Sequence, residues 1–461
     1  MGFLPQDVKF DLELIKKYDK PAPRYTSYPT AAEFSEEVDE SIFKEKVIAS
    51  NERKSPLSLY FHIPFCESAC HFCACNVIIS RRKEVVEPYL QYLFREIENT
   101  SSLIDKDRKV VQYHWGGGTP NYMNQEQMKS LFEKSKEHFQ FDENAEISIE
   151  IDPRYITKDD IYFLRELGFN RLSFGIQDFN PKVQEAVNRI QPEDMIFNVM
   201  KWARDAGFES VNIDLIYGLP YQTLETFTDT VEKTIKLNPD RIAVFNFAYV
   251  PWLKPLQRNI IEEALPPAQV KLDILKMTIE KLTDAGYIFI GMDHFAKPDD
   301  ELAVAQRERT LHRNFQGYTT KAGAELFGFG ATSISMLYDV YAQNYKKIRD
   351  YYQAIDAGHI PVSRGVLLNE DDIIRRDVIM KLMCHFRLVK EEIEKAHNID
   401  FDEYFKVEMQ ELKQLEDDGL IKIYPDRIDV TPAGRLLIRN IAVIFDIYTK
   451  AKKEQKFSKA I

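Results

Sequence analysis

The chain has 461 residues, with 61 Lys and Arg against 73 Asp and Glu, a formal net charge of −12, and 44% apolar residues. This is the balance of a globular protein long enough for a large domain with a smaller one attached, and its acidity argues against nucleic acid as a general partner. No apolar run reaches bilayer length and the opening MGFLPQDVKFDLELIKKYDK has no apolar core, so neither a membrane span nor a signal peptide is expected and the cytoplasm follows.

Residues 1–55 contain PAPRYTSYPTAAEF, whose prolines and hydroxyls predict an extended N-terminal arm on the surface. The alternative is a substrate flap, with charge from Arg24 and flat surfaces from Tyr25 and Tyr28. From Leu57 a strand–helix rhythm sets in. SLYFHI, VVQYHW, EISIEID, RLSFGIQ, SVNIDLIYG and RIAVFNFAYV read as strands. Amphipathic helices such as EVVEPYLQYLFREIEN and TLETFTDTVEKTIKL separate them, at roughly 30-residue spacing. Six such units predict an α/β fold with a parallel sheet. No dinucleotide fingerprint follows the first strand, so a partial (β/α)6 TIM-type barrel is favoured over a doubly wound sheet.

Beyond the sixth unit come a long helix, the strand YIFIGMDHF and a polar stretch carrying Arg307, Arg309, His312 and Arg313. That stretch is either a charged rim or a grip for a polycarboxylate. GFGATS, with Gly328 and Gly330, reads as a tight turn. From about Tyr351 helices take over, followed by the hairpin LIKIYPDRIDVT turning at Pro425 and Asp426, and a final helix AGRLLIRNIAVIFDIYTKA. This resembles a winged-helix-like module, expected as a lid or scaffold rather than a DNA reader. The expected division is an arm at 1–55, a barrel at 56–350 and a mostly helical C-terminal domain at 351–461.

Four of the five cysteines, Cys66, Cys70, Cys73 and Cys75, fall in HIPFCESACHFCAC, while Cys384 lies apart on a helix as a core residue. Disulfides would close tiny strained loops, and structural zinc favours two separated C-x-x-C pairs. An iron–sulfur cluster suits the single short run better. Other unusual residues also fall at or near the carboxyl ends of the predicted strands, where barrel enzymes build active sites. Gly117, Gly118 and Thr119 follow the second strand, Glu150 and Asp152 end the third, and Gln177 ends the fourth; Asp214 lies on the fifth and Ala248 follows the sixth.

The C-x-x-x-C-x-x-C run, with Phe72 before its third cysteine, resembles the radical S-adenosylmethionine (SAM) superfamily. The resemblance implies that Cys66, Cys70 and Cys73 hold a [4Fe–4S] cluster whose open iron chelates SAM, with Cys75 supernumerary. It implies an oxygen-labile protein suited to anaerobic conditions. The glycines would then approach the SAM ammonium, Glu150 accept from it, and Arg189 pair with the carboxylate as a fork. Gln177 and Asp214 would meet ribose hydroxyls, and Phe72 with the Ala248 backbone would frame the adenine.

RYTSYPTA, LYFHIPFCESACHFCACN, HWGGGTPNYM, ISIEIDPR, GFNRLSFGIQDFN, NIDLIYGLPYQT, IGMDHFAKPDDELAVAQ, LHRNFQGYTT and GRLLIRNI are, more narrowly, similar to the oxygen-independent coproporphyrinogen III oxidase family over nearly the whole length. That family implies oxidative decarboxylation of two propionates of coproporphyrinogen III to vinyl groups, giving protoporphyrinogen IX, in heme (porphyrin) biosynthesis. It implies a second SAM, for which Tyr60, Gly117, Gly118, Thr119, Glu150, Gln316 and Ile334 are candidates. It also implies a flavodoxin or ferredoxin as reductant, and a monomer is expected. His62 is a candidate for an electron or proton step, or a structural histidine at a strand end. Substrate candidates are Arg24, Tyr25, Arg307 and Arg313. The alternatives are a heme-binding chaperone and an anaerobic heme-modifying radical SAM methyltransferase.

Overall fold

A computed structural model describes residues 8–18 and 20–451. The outermost parts of the two terminal segments expected from the sequence, and with them the start of the stretch searched for a signal peptide, lie outside the described residues. The chain divides into two compact units, and neither is continuous in sequence: Phe34–Lys281 with Gly323–Leu367, and Met1–Glu33 with Leu282–Ala322 and Leu368–Ile461.

The larger unit holds the predicted strand–helix alternation. Its strands are β1 (Leu57–Ile63), β2 (Val110–Gly117), β3 (Phe141–Ile151), β4 (Arg171–Gln177), β5 (Ser210–Tyr217) and β6 (Arg241–Asn246). Between them run α1 (Val86–Ser101), α2 (Gln125–His138), α3 (Lys158–Leu167), α4 (Glu193–Asp205) and α5 (Leu224–Leu237). All neighbouring pairs from β1 to β6 are parallel. This is the predicted (β/α)6 arrangement.

Four further strands extend the sheet beyond β1: β7 (Glu325–Phe329), β8 (Ile334–Met336), β9 (Val340–Asn344) and β10 (Val362–Leu367). The order is β10-β9-β8-β7-β1-β2-β3-β4-β5-β6, with β7 parallel to β1 and β8 to β10 antiparallel. Sequence reading misses β7 because Gly328 interrupts ELFGF. A β-carbon at Gly328 would stand 2.6 Å from the Ile334 carbonyl oxygen, so close strand approach demands glycine there. Gly330, at φ +93°, turns the chain as expected.

Alternation along the strands explains why the unit folds this way. One face of β1 to β5 presents Leu59, Phe61, Trp115, Ile149, Phe174 and Ile213, each fully buried. The other face presents Tyr60, His62, His114, Glu150, Ser173 and Asp214. Apolar residues pack under the crossover helices, and polar ones face inward. Helix starts are set by side-chain caps: Asn124, Thr157 and Thr223 each close a capping box on α2, α3 and α5.

The smaller unit differs from expectation in three places. YIFIGMDHF is not one strand but two, Ile288–Gly291 and His294–Ala296, folded antiparallel with Met292 at φ 51°. The final helix is broken into short pieces, the last break falling where Asp446 leaves helical geometry at φ −91°, ψ 103°. There it caps the last turn through the Thr449 N–H at 2.9 Å and accepts from the Tyr25 hydroxyl at 2.8 Å. Finally, the N-terminal segment is not a surface arm: Ala22, Tyr25, Ser27 and Tyr28 are buried, and Arg439 donates to the Pro23 and Ala22 carbonyls.

The C-terminal part follows the winged-helix-like expectation. Helix Glu370–His385 is capped by Asn369, and strands Arg387–Val389, Arg427–Val430 and Ile421–Ile423 form an antiparallel sheet in that spatial order. The change of architecture falls after Leu367 rather than at Tyr351, because β10 still belongs to the large sheet. No helix among the described residues is long and apolar enough to cross a membrane.

Candidate active site

The segment after β1 is pinned back on itself by a two-residue parallel ribbon, Phe65–Cys66 against Ile78–Ile79, so the cysteine loop stands over the carboxyl ends of the strands. Beneath it lies a cavity of about 300 Å³ lined by Cys66, Cys70, Cys73, Gly118, Glu150, Asp152, Gln177, Arg189 and Asp214 among others. Among the described residues no three His, Cys, Asp or Glu side chains converge tightly enough to hold a single metal ion. Cys66, Cys70, Cys73 and Cys75 all line the cavity.

Each thiol has a polar neighbour. Cys66 Sγ lies 3.4 Å from the Thr119 hydroxyl, and burial pushes its thiol up to about 12. Cys70 Sγ accepts from Arg154 and Arg189, both at 3.4 Å. Cys75 donates to Cys73, which favours the thiolate at Cys73.

Glu150 is the anionic centre of the chamber. Burial alone would raise its carboxyl, but hydrogen bonding and charge from His114 and the Gly117 N–H at 3.2 Å hold it below the usual range. Some 47% of its side-chain surface is open. Asp214 is the opposite case. Burial pushes it up to about 7, only partly countered by the Asn212 amide at 2.8 Å. Two carboxylates in one chamber are thus held apart in protonation.

Arg189 is largely committed within the protein. Its Nη1 donates to Asp152 at 3.0 Å and its Nη2 to the Gly175 carbonyl at 2.6 Å, so the expected free fork is reduced to Nε. That Nε, and Gln177 Oε1, are buried without a hydrogen-bond partner. Such orphan groups in a cavity wall cost about 1–3 kcal/mol each unless a ligand meets them. Gln177 is held at φ 70°, which aims the chain end of β4.

The remaining expected residues fall as follows. Tyr60 stacks on His114 with ring centroids 5.9 Å apart and hydrogen-bonds His62 Nδ1 at 3.1 Å. His62 Nε2 is bonded to the Asn76 carbonyl at 3.0 Å, and burial keeps the ring neutral. Phe72 packs against the apolar cluster of Val183, Val187, Leu219 and Phe247. Ile334 pairs with Gln343 at the start of β8.

Gln316, Arg24, Tyr25, Arg307 and Arg313 belong to the smaller unit. Arg24 pairs there with Asp293, and Tyr25 is locked to Asp446 at 1% exposure, which leaves its ring no ligand surface. Arg307 is exposed, whereas Arg313 is buried with its guanidinium 4.5 Å from the Tyr318 ring. Gln316 has a buried, unpartnered Nε2.

Three supporting residues carry no role in the sequence reading, although His114 and Arg154 lie within HWGGGTPNYM and ISIEIDPR. Arg154 chelates Asp152 and touches Cys70. His114 stands 3.5 Å from Glu150. Gln257, buried in the loop after β6, donates to the Phe72 and Ala248 carbonyls at 3.3 and 3.1 Å, tying together the two groups expected around an adenine. The inward alternation of polar residues on β2 is the signal for His114; Gln257 carries none.

Residues 60–234 match the family model described as Radical SAM superfamily, and residues 368–437 match the HemN C-terminal domain. The oxygen-independent coproporphyrinogen III oxidase of Synechocystis sp. is 57% identical over 459 residues, covering 98% of both chains. The chain belongs to the oxygen-independent coproporphyrinogen III oxidase family. The Escherichia coli family member is 52% identical over 99% of each chain. The solved structure of Escherichia coli coproporphyrinogen III oxidase (HemN), described as a radical SAM enzyme, superposes with a TM-score of 0.92 at 50% identity, over 96% of this chain and 100% of that one. The family's radical SAM chemistry implies a [4Fe–4S] cluster and SAM, and the cysteine wall and the orphan donors and acceptors fit both.

Proposed function

We propose that the chain converts two propionates of coproporphyrinogen III to vinyl groups with loss of carbon dioxide, in heme biosynthesis. One observation carries the reading: three loop cysteines share a cavity with an ionised Glu150 and with Arg189 Nε and Gln177 Oε1, both unpartnered. Cys66, Cys70 and Cys73 would hold the cluster as thiolates. When bound, cluster and SAM supply a 5′-deoxyadenosyl radical able to take hydrogen from the propionate β-carbon.

The chain's own groups orient the reactants and exclude water. Glu150 and the Gly117–Gly118 backbone receive the SAM ammonium, and Arg189 Nε meets the carboxylate. Gln177 and Asp214 take the ribose, while Phe72 and Ala248, braced by Gln257, frame the adenine. Tyr60, Gly117, Gly118, Thr119, Glu150 and Ile334 are the candidates of the larger unit for a second SAM; for Gln316, Arg307 and Arg313 the family resemblance and the chemistry of each side chain support a binding role. His62 is assigned a positioning role, since both its ring nitrogens are hydrogen-bonded. The reading brings with it a flavodoxin or ferredoxin as electron source, a monomer and a cytoplasmic address.

The site is tested by anaerobic reconstitution with iron and sulfide. About four irons per chain and a change in the paramagnetic spectrum of the reduced cluster when SAM is added would support it. A cluster whose spectrum ignores SAM would overturn it.

A further inference from the structure

The outer side of the cysteine loop carries an unusual charge. Lys254 Nζ donates to the Ala74 carbonyl, and Asn76 Nδ2 donates to the Lys346 carbonyl at 2.9 Å, so two segments distant in sequence are fastened to this loop by its own backbone and amide. Arg364 lies close by on β10, bonded to Gln343 Oε1 at 2.9 Å. Partial burial, and then the like charges of Arg364 and Lys254, hold the Lys346 ammonium below the ordinary lysine value.

These three cations come from separate segments and repel one another. Among the described residues none of these three forms an ion pair with a carboxylate, whereas Lys46, Arg53, Lys83 and Arg108 of the same unit each do. In a chain of net charge −12, this patch is a local field of the opposite sign, able to attract an acidic partner.

Large apolar side chains lie exposed on the cysteine loop and on the Lys254 segment. Ile78, on the ribbon that carries Cys66, is 37% exposed, and Trp252, two residues before Lys254, is 61% exposed. An exposed aromatic and aliphatic centre with a cationic rim is the make-up of a protein-docking surface. Its charge selects an acidic partner against the repulsion of the rest of the chain.

We propose that Lys254, Lys346, Arg364 and the neighbouring Ile78 and Trp252 form the docking surface for a small acidic one-electron carrier protein. The inference rests on the reading of the cysteine loop as a cluster site, and it adds the place where the electron enters. One electron leaves the carrier, which is oxidised, and passes to the cluster, which is reduced. None of Lys254, Lys346, Arg364, Ile78 and Trp252 lines the cavity assigned to SAM, so docking there leaves that cavity free.

The test uses the reconstituted full-length protein with an acidic flavodoxin as probe, and dithionite as a reductant that needs no dock. Lys346→Glu is the first variant, because the Lys346 side chain is exposed and only its backbone carbonyl holds Asn76. Direct binding of flavodoxin should weaken roughly tenfold in Lys346→Glu and fall steeply with added salt for the unaltered protein. The same variant should need roughly tenfold more flavodoxin for half-maximal turnover, while its dithionite-driven rate and its KM for porphyrinogen stay unchanged. Trp252→Ser, which leaves the charge intact, should weaken binding without altering the salt dependence. Unchanged flavodoxin affinity in both variants would overturn the proposal. So would a raised porphyrinogen KM under dithionite, which would give the cations to the substrate. Failure of the cluster reading shows separately, as loss of turnover with either reductant.

Discussion

The Cα of Gly117 lies beneath the imidazole of His62: a β-carbon there would stand 2.5 Å from His62 Nδ1, and the glycine is held at φ +113°. Two independent constraints therefore meet at one position. Gly117→Ala is expected to cost about 1–3 kcal/mol in stability through backbone strain. It should also displace His62 from Tyr60, so that 5′-deoxyadenosine formation falls more than iron content does. Thermal unfolding and product analysis check both; unaltered SAM cleavage in Gly117→Ala would remove the pair from the account.

Cys70 is met by two arginines, and its replacement tests the ligand set. Cys70→Ser is expected to lose the brown colour, most of the iron and all 5′-deoxyadenosine formation. A coloured, active Cys70→Ser protein would refute the assignment of Cys70 as a ligand.

Asp214 supplies a pH test. Its carboxyl is pushed up to about 7 by burial, so lowering the pH from 8 to 6 protonates it. If the ionised form accepts from ribose hydroxyls, SAM affinity should decline over that interval, and Asp214→Asn should abolish the dependence. Affinity measured by calorimetry across pH would show this; an equal slope in Asp214→Asn would assign the dependence elsewhere.

Much of this was legible in the chain, and the particulars show why. Strands β1 to β6 announce themselves by apolar alternation, and the cysteine run by its density. β7 and β9 do not, because short strands buried on both faces have no period to read, and Gly328 interrupts β7 as well. The burial of Tyr25 and Tyr28 was equally hidden: PAPRYTSYPT looks like a surface arm until Asp446, more than four hundred residues on, supplies the partner for Tyr25. Sequence placed Arg189 at the site, yet could not show that Asp152 and Gly175 already occupy its two Nη groups.

Glu96 makes a further test, away from the chamber. Its buried carboxylate accepts from the Gly330 N–H, the Asn344 amide and the Tyr351 hydroxyl at 2.8, 2.6 and 2.7 Å, and burial pushes it up to about 7. An unfolded glutamate titrates near 4.3, so the raised value contributes stability that is fully present below about 4.3 and lost as pH rises through about 7. The change is on the order of 3 kcal/mol. Glu96→Gln should flatten that part of the stability profile. Denaturant unfolding at pH 5 and pH 8 measures it, and parallel profiles for the two proteins would contradict the assignment.

The central claim is that one cavity supports decarboxylation of a porphyrinogen. The most direct measurement is an anaerobic turnover of the iron-reconstituted protein with SAM, a strong reductant and coproporphyrinogen III, followed by mass. The account predicts loss of two carbon dioxide units per porphyrinogen, with 5′-deoxyadenosine formed in step. SAM cleaved while the porphyrinogen keeps all its propionates would contradict it.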